Sequence, residues 1–596
     1  MSGTALTNTA PTALPFLQSG AASAAVRADA AGANTAAFAG VALLALVAPF
    51  EGIEPLLRLP GQSISNLEAA LGAACAAWLC ALIWTRRMPM WRTPLTGPWL
   101  LLVAAMALAA VTSPVSRLNA LHMTGRVAAA FVVYLLAVNG VTTRARLIAT
   151  ISLALLAGAA VSVLIVLEYQ TVPAVLRWLK TFRPQVMTVG AVVRAGGSLQ
   201  YPTIASMYLE VVFAIGVGLM IALRDRARHG RVALVFAALL LVAYAITLTF
   251  TRSGLILMAV VLAWCGALRV RSAGFEPGAR LVALLAAAIA VVFFGSRSLD
   301  SIWLRLTTEG QESWYLAGIQ APAELTLSTG ATTTVPVTVR NLGRLEWSSQ
   351  GDSPFFLSYH WMLADDERYV VFDGVRTPFD ATVASGGVAD VAAAVRAPRR
   401  PGRYRLVWDI VQERHTWFSD EPGAAVVTSR ATVEGAALAG ASQPFPRPRP
   451  AWRPGRLVLW RAAARMFAAH PLLGVGPDNF RLTYASYAGL AASDTRTHSN
   501  NMYLEVLAGG GLVTACAFAW WLWAAARTCA DGLVRSAAAG GAVAVGVAAA
   551  AIAIALHGVV DSFLSFAPIY VIFSLTLGLA AACARGVETC ADAHRI

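Results

Sequence analysis

The chain has 596 residues, 57% of them hydrophobic and only 13% charged, with a formal net charge of +14. A mean hydropathy of +0.63 excludes a single soluble core, because apolar runs approaching the ~20 residues that cross a bilayer recur along the chain. Its basic residues are dispersed through the loops between those runs rather than gathered on one soluble face, which argues against a nucleic-acid partner.

In chain order, residues 1–35 are rich in Ala, Thr and Ser and lack the short apolar core of a cleaved signal peptide, so they read as a disordered cytoplasmic tail. Candidate spans follow at 38–56, 67–85, 97–112, 127–141, 147–167, 203–223, 231–250, 254–269 and 279–294, and again at 502–526, 537–556 and 564–584. The pattern predicts a polytopic α-helical membrane protein of about twelve transmembrane helices. Residues 36–300 carry the first nine helices and residues 502–586 the last three. Arginines at 86, 87, 92, 144, 146, 224, 226, 228, 231, 269, 271, 280, 527, 535 and 585 fall on alternate loops. If both termini are cytoplasmic, all of these lie inside, as the positive-inside rule requires. The long polar insertion 295–501 then faces outward, which is the periplasm for a protein of a bacterial inner membrane.

Within the insertion the texture changes. From 318 to 436 short alternating runs (Thr334–Val339, Phe356–Trp361, Tyr369–Phe372, Val388–Val395, Tyr404–Ile410, Ala425–Val433) are separated by Gly, Pro and Asn/Asp turns, the signature of half-buried strands. About seven strands of this kind predict an extracytoplasmic antiparallel β-sandwich of immunoglobulin-like type. Val335, Val337 and Val339 form one inward row, and Tyr404, Leu406, Trp408 and Ile410 another. His360, Trp361, Trp408, His415 and Trp417 would serve either as a sugar-stacking surface or as core aromatics with turn polar groups. The stretches Val339–Gly343, Leu357–Trp361 and Pro401–Asp409 resemble the small immunoglobulin-like modules appended to carbohydrate-active enzymes. A Pro/Arg-rich linker, 437–456, follows. Residues 457–501 then form an outer loop opened by an amphipathic helix, Leu457–His470, with Leu457, Trp460, Ala464 and Phe467 expected on its apolar side and Arg461 and Arg465 beside it.

Gly474-Val-Gly-Pro-Asp-Asn-Phe480 and Thr497-His-Ser-Asn-Asn-Met-Tyr-Leu504 stand just before the next apolar run. An ionisable residue at a membrane edge is costly to keep without purpose, so His498 leads the candidate list. None of the seven cysteines falls in the insertion, and neither a zinc-ligand spacing nor a nucleotide-cradling glycine loop is present. Accordingly no metal and no cofactor are expected.

Arg252-Ser-Gly254 at the start of a span, Gly474–Phe480, His498–Leu504 with Gly509–Gly511, and His557-Gly-Val-Val-Asp561 resemble, in order and spacing, the O-antigen ligase and polymerase superfamily of membrane glycosyltransferases. The resemblance covers roughly 100–295 and 455–585. It implies a GT-C-like helical fold and transfer of a glycan from undecaprenyl diphosphate to an acceptor hydroxyl, without metal or nucleotide, within a membrane lipid environment. The acceptor would be lipid A core or another glycan. On this reading His498 is the base, since imidazole suits proton abstraction near neutrality. Arg252, with Arg461, Arg465, Arg194 and Arg496, would hold the departing diphosphate through bidentate guanidinium contacts. Many relatives carry a second histidine where this chain has Asn500. Asn500 would then orient a sugar hydroxyl, with Asn501 in support, and His557 and Asp561, four apart, would either support a base or form a helix-end ion pair. Repeat-unit polymerase, protein O-oligosaccharyltransferase and lipid-linked glycan transporter are the alternatives.

Overall fold

A computed structural model describes residues 16–59, 62–183, 187–189, 192–273, 277–296, 314–350, 354–413, 416–421, 427–440, 443–446, 454–490, 493–537, 541–562 and 564–589. The chain divides into a helical unit, built from the parts before residue 297 and after 454, and a β unit made mainly of 297–454.

Among the described residues of the helical unit, nine helices are long and apolar enough to cross a membrane, and three more are apolar but shorter. The protein is a polytopic helical membrane protein with an inserted β domain. Local sequence sets the helix ends. Ser65 and Glu68 form a reciprocal capping box ahead of the Asn66–Trp84 helix, and Thr143 caps Arg144–Tyr169, each satisfying amide groups that a helix start leaves open. The first helix differs from expectation at both ends: it runs Phe16–Val47 rather than starting near 38 and reaching 56. Its alanine-rich opening has strong helix propensity, so the expected tail is helical from Phe16, while residues 1–15 lie outside the described residues. Pro49 ends it early by disfavouring helical geometry in the residue before it.

Pro202–Arg224 is the central helix, buried along its whole length and packed against His229–Leu248 and Ala542–His557. Gly218 and Gly546 make the second contact possible. A Cβ on Gly546 would stand 2.8 Å from the Gly218 Cα, and one on Gly218 would stand 2.9 Å from the Gly546 Cα, so the two backbones touch as small-residue crossings in membranes allow.

The β unit pairs a three-stranded sheet (Val388–Arg396, Thr332–Asn341, Ala317–Gln320) with a seven-stranded one centred on Phe355–Leu363 and Gly402–Gln412. Both predicted inward rows are buried in one shared core. The strand set is larger than expected and not wholly antiparallel, since Val427–Glu434 runs parallel to Glu324–Ser328. Trp361 and Trp408 are fully buried with their indole N–H groups bonded to Arg396 O and Ser429 Oγ. His360 is buried between Asp409 and the Phe372 carbonyl. These three are core residues and not a sugar platform. Trp417 is half-buried under the Arg376 guanidinium, 4.8 Å from its ring, and His415 lies outside the described residues.

Candidate functional site

The site is assembled by two glycine tracts that meet. Within the Met502–Ser536 helix, Gly511 has φ 61° and ψ −164°, a break that leaves helix amides and carbonyls to be satisfied elsewhere. The carbonyls of Ala508 and Gly509 accept from Val475 N–H (3.0 Å) and Gly476 N–H (2.8 Å), while Leu512 and Val513 N–H donate to Pro471 and Leu472 at 2.8 and 3.2 Å. The exchange requires bare backbone. A Cβ on Gly474 would lie 2.5 Å from the Ala508 carbonyl oxygen, and one on Gly511 would lie 2.4 Å from the Leu472 carbonyl.

Asn479 then locks this turn to the rest of the unit. Fully buried, it donates to Ser113 Oγ (2.8 Å), Val475 O (2.9 Å) and Ser116 O (3.0 Å) and accepts from Asn119 at 3.0 Å. Its neighbour Asp478, held at φ 62°, takes the Arg481 Nε–H at 2.9 Å, and Arg481 also reaches Asn119 Oδ1 at 2.5 Å.

Asp478 is thereby placed beside His498 and Glu505. His498 Nδ1 lies 3.4 Å from Glu505 Oε1 and 3.9 Å from Asp478 Oδ1, and 15% of the histidine side chain remains accessible. The other Glu505 oxygen accepts Ser499 N–H at 2.8 Å. Among the described residues no hydrogen bond engages His498 Nε2. Burial by itself would push the imidazole down. The bond and charge of Glu505, together with the charge of Asp478, outweigh it and hold His498 above the usual histidine range. With Nδ1–H directed at a carboxylate, Nε2 is the basic nitrogen.

The loop bearing His498 is pinned to the turn after Ala542–His557. Met502 N–H bonds Gly558 O and Asp561 O, and Asn501 Nδ2 bonds Val559 O at 3.0 Å. Asn501 Oδ1 also caps the helix through Leu504 N–H at 2.9 Å, so Asn501 is a cap instead of a sugar ligand. Asn500 sits at φ 52°, a conformation that asparagine tolerates better than most residues.

His557 is not partnered by a helix-end carboxylate alone. Its Nδ1 bonds Glu210 Oε2 at 2.9 Å and its Nε2 meets Ser253 Oγ at 3.4 Å, while Ser206 donates to Glu210 Oε1 at 2.8 Å. Asp561 lies within electrostatic reach of His557, Arg456, His498 and Arg194, and burial raises its carboxyl above the usual range.

The arginines separate into groups. Arg194 is half-buried and donates to Thr249 O at 3.2 Å, bracing the turn that carries Arg252. Burial lowers it to about 10 against the opposing pull of Asp561. Arg252 and Arg461 are exposed, with no hydrogen bond or ion pair among the described residues. Arg465 donates to Tyr487 O at 2.8 Å, and Arg496 is an exposed partner of Asp494. The Arg456–Ala469 helix buries Leu459, Ala462, Ala463 and Met466 against Val475, Phe480 and Tyr484. Leu457 is 65% exposed, so the predicted row faces away from this core.

Sequence reasoning passed over Asp478, Arg481, Glu505, Glu210 and Ser253. Glu210 and Glu505 carried a usable signal, since each is a lone acid inside or at the start of an apolar run. An apolar cleft also opens at this cluster, with Asp478, Glu505 and Arg126 beside Trp99, Phe518 and Trp521.

Asp478, His498 and Glu505 present ligand atoms within 4.8 Å of one another, a set able to hold a cation. Each acid already gives one oxygen to a protein donor, Arg481 or Ser499.

The family model described as O-antigen ligase matches residues 423–519. Over those residues the chain is similar to the O-antigen ligase family, and the match supports that superfamily. The matched segment contains Asp478, His498, Glu505 and both glycine tracts, and it supports a membrane glycan-transfer role. Arg194, Arg252, His557 and Asp561 fall outside it. No curated protein matches the chain.

Proposed function

We propose that the protein transfers a glycan from undecaprenyl diphosphate to an acceptor hydroxyl at the outer face of the inner membrane, as an O-antigen ligase acting on lipid A core. The observation that carries this reading is His498, held through Nδ1 by Glu505 with Nε2 unengaged among the described residues, while Glu505 and Asp478 line an apolar cleft.

In the proposed step Nε2 removes the acceptor hydroxyl proton as its oxygen attacks the anomeric carbon. The bond from that carbon to the diphosphate oxygen breaks, and its electron pair leaves with the lipid diphosphate. Glu505 and Asp478 stabilise the imidazolium so formed, an arrangement that lowers the barrier in a site of low dielectric. Arg252 and Arg461, exposed and without acid partners among the described residues, suit the departing diphosphate, where guanidinium groups bind in fork geometry. The apolar cleft suits part of the polyprenyl chain. Asn479 and the two glycine tracts position Asp478 and touch no reacting atom.

The test is turnover of undecaprenyl diphosphate-linked glycan by purified protein with and without EDTA, offering lipid A core as acceptor. Release of lipid diphosphate with product on the core, unaffected by EDTA, is the expected result. Longer carrier-linked chains would replace ligation by polymerisation, glycosylated serine or threonine would mean protein transfer, and loss of turnover in EDTA would assign the Asp478–His498–Glu505 set to a metal.

A further inference from the structure

The β unit contains a second polar cleft, of about 370 Å³, that the transfer chemistry does not use. Its volume falls in the ~300–1,000 Å³ range of small-molecule sites and is too large for a single small anion. Tyr359 and Tyr404 lie at its base, and the segments Val370–Val375 and Arg396–Arg400 form its walls.

The second wall is unusually well anchored for a surface turn. Arg396 N–H donates to Tyr359 Oη at 2.7 Å, and Tyr404 Oη donates to Arg400 O at 2.9 Å. From the other side Ala397 N–H bonds Ala331 O, while Pro398 O and Arg399 O accept from Gly330 and Leu438. Prolines 398 and 401 fix φ within the same turn. The opposite wall is pressed against the base, since a Cβ on Gly374 would stand 2.3 Å from the Tyr359 carbonyl oxygen.

On this fixed turn Arg396, Arg399 and Arg400 are exposed. Arg399 donates to Ala439 O at 2.7 Å, and Arg396 and Arg400 have no carboxylate partner among the described residues. The single acid in the lining, Asp373, is paired with Arg376. The cleft is therefore cationic, its arginines carried on an anchored backbone.

We propose that this cleft binds an acidic saccharide, a glycan segment bearing a uronic-acid carboxylate. The three arginines are placed to recognise the carboxylate, and the mixed polar and apolar walls accept the sugar ring. Identifying the ligand as a saccharide rests on the glycan-transfer reading; the anionic character follows from the lining alone.

The experiment measures binding of digalacturonate to the full-length protein in detergent, without donor, beside maltose and inorganic phosphate as probes. Digalacturonate is expected to bind, with roughly tenfold or greater weakening in Arg396→Glu and Arg400→Glu and little binding of maltose or phosphate. Arg400→Ala is the milder control, because the Tyr404 bond uses the Arg400 backbone. Equal binding by the charge-reversed proteins, equal binding of maltose or phosphate, or no digalacturonate binding would overturn the proposal. His498→Ala should bind digalacturonate as wild type does, so loss of turnover and loss of binding report separately on the two readings.

Discussion

Two histidine–glutamate pairs stand in the helical unit, yet their surroundings differ. His498 and Glu505 keep 15% and 11% of their side chains accessible, and Nε2 of His498 is unengaged among the described residues. His557 and Glu210 are 1% accessible each, with both imidazole nitrogens in contact with side chains. The difference teaches that an ionisable residue in a membrane protein declares a function only when one of its polar atoms is left to meet a substrate. On the proposed reading the outer, more accessible pair carries the chemistry. The inner pair joins Pro202–Arg224, Ala542–His557 and the start of Arg252–Ala273, where it fixes helix positions.

The comparison can be broken most directly at the two histidines. His498→Ala should cost about 10³-fold in turnover, the scale of a lost general base, with little change in thermal unfolding. His557→Ala should instead destabilise, by about 3 kcal/mol, because it strands Glu210 in the bundle without its ring donor. A large turnover loss in His557→Ala with an unchanged unfolding temperature would reverse the assignment.

Next in size is Asn479→Ala, which removes four hydrogen bonds, two of them buried, and should lower stability by about 2–3 kcal/mol, read by unfolding in detergent. Unaltered stability would mean that the glycine tracts hold the turn alone.

The pH profile sharpens the outer pair. His498 must be neutral to accept a proton, and its carboxylate neighbours outweigh burial to raise it, so turnover should climb through a limb above the ordinary ~6.5 of imidazole. Glu505→Gln removes the larger opposing charge, burial is then less resisted, and the limb should move to lower pH. A stationary limb would separate Glu505 from the base. The smallest effect is expected for Arg496→Ala, whose exposed pair with Asp494 is worth under about 1 kcal/mol; a large loss of donor affinity in this variant would restore Arg496 to the diphosphate.

The helices were legible because apolar run length is a local signal: most expected spans coincide with described helices, while Arg117–Gly140 starts ten residues before the expected 127, Met502–Ser536 runs ten residues past 526, and the span crossing Pro49 was misplaced. The inward rows of the β unit were legible through period-two alternation. The short strands Glu324–Ser328 and Thr416–Trp417 were not, since two to five residues carry little periodicity. At the site, His498 was visible as an isolated titratable residue at a span edge. Its partner Asp478 was not, because it arrives only through the docking of Gly474–Gly476 on Ala508–Gly509, and the pairing of His557 with Glu210 was hidden by the 347 residues between them.

The most direct test of the account is release of undecaprenyl diphosphate from its glycan-linked form by purified wild type, His498→Ala and His557→Ala, normalised to folded protein. The account predicts turnover in wild type, near-complete loss in His498→Ala, and activity per folded molecule largely kept in His557→Ala. Full activity in His498→Ala would contradict it.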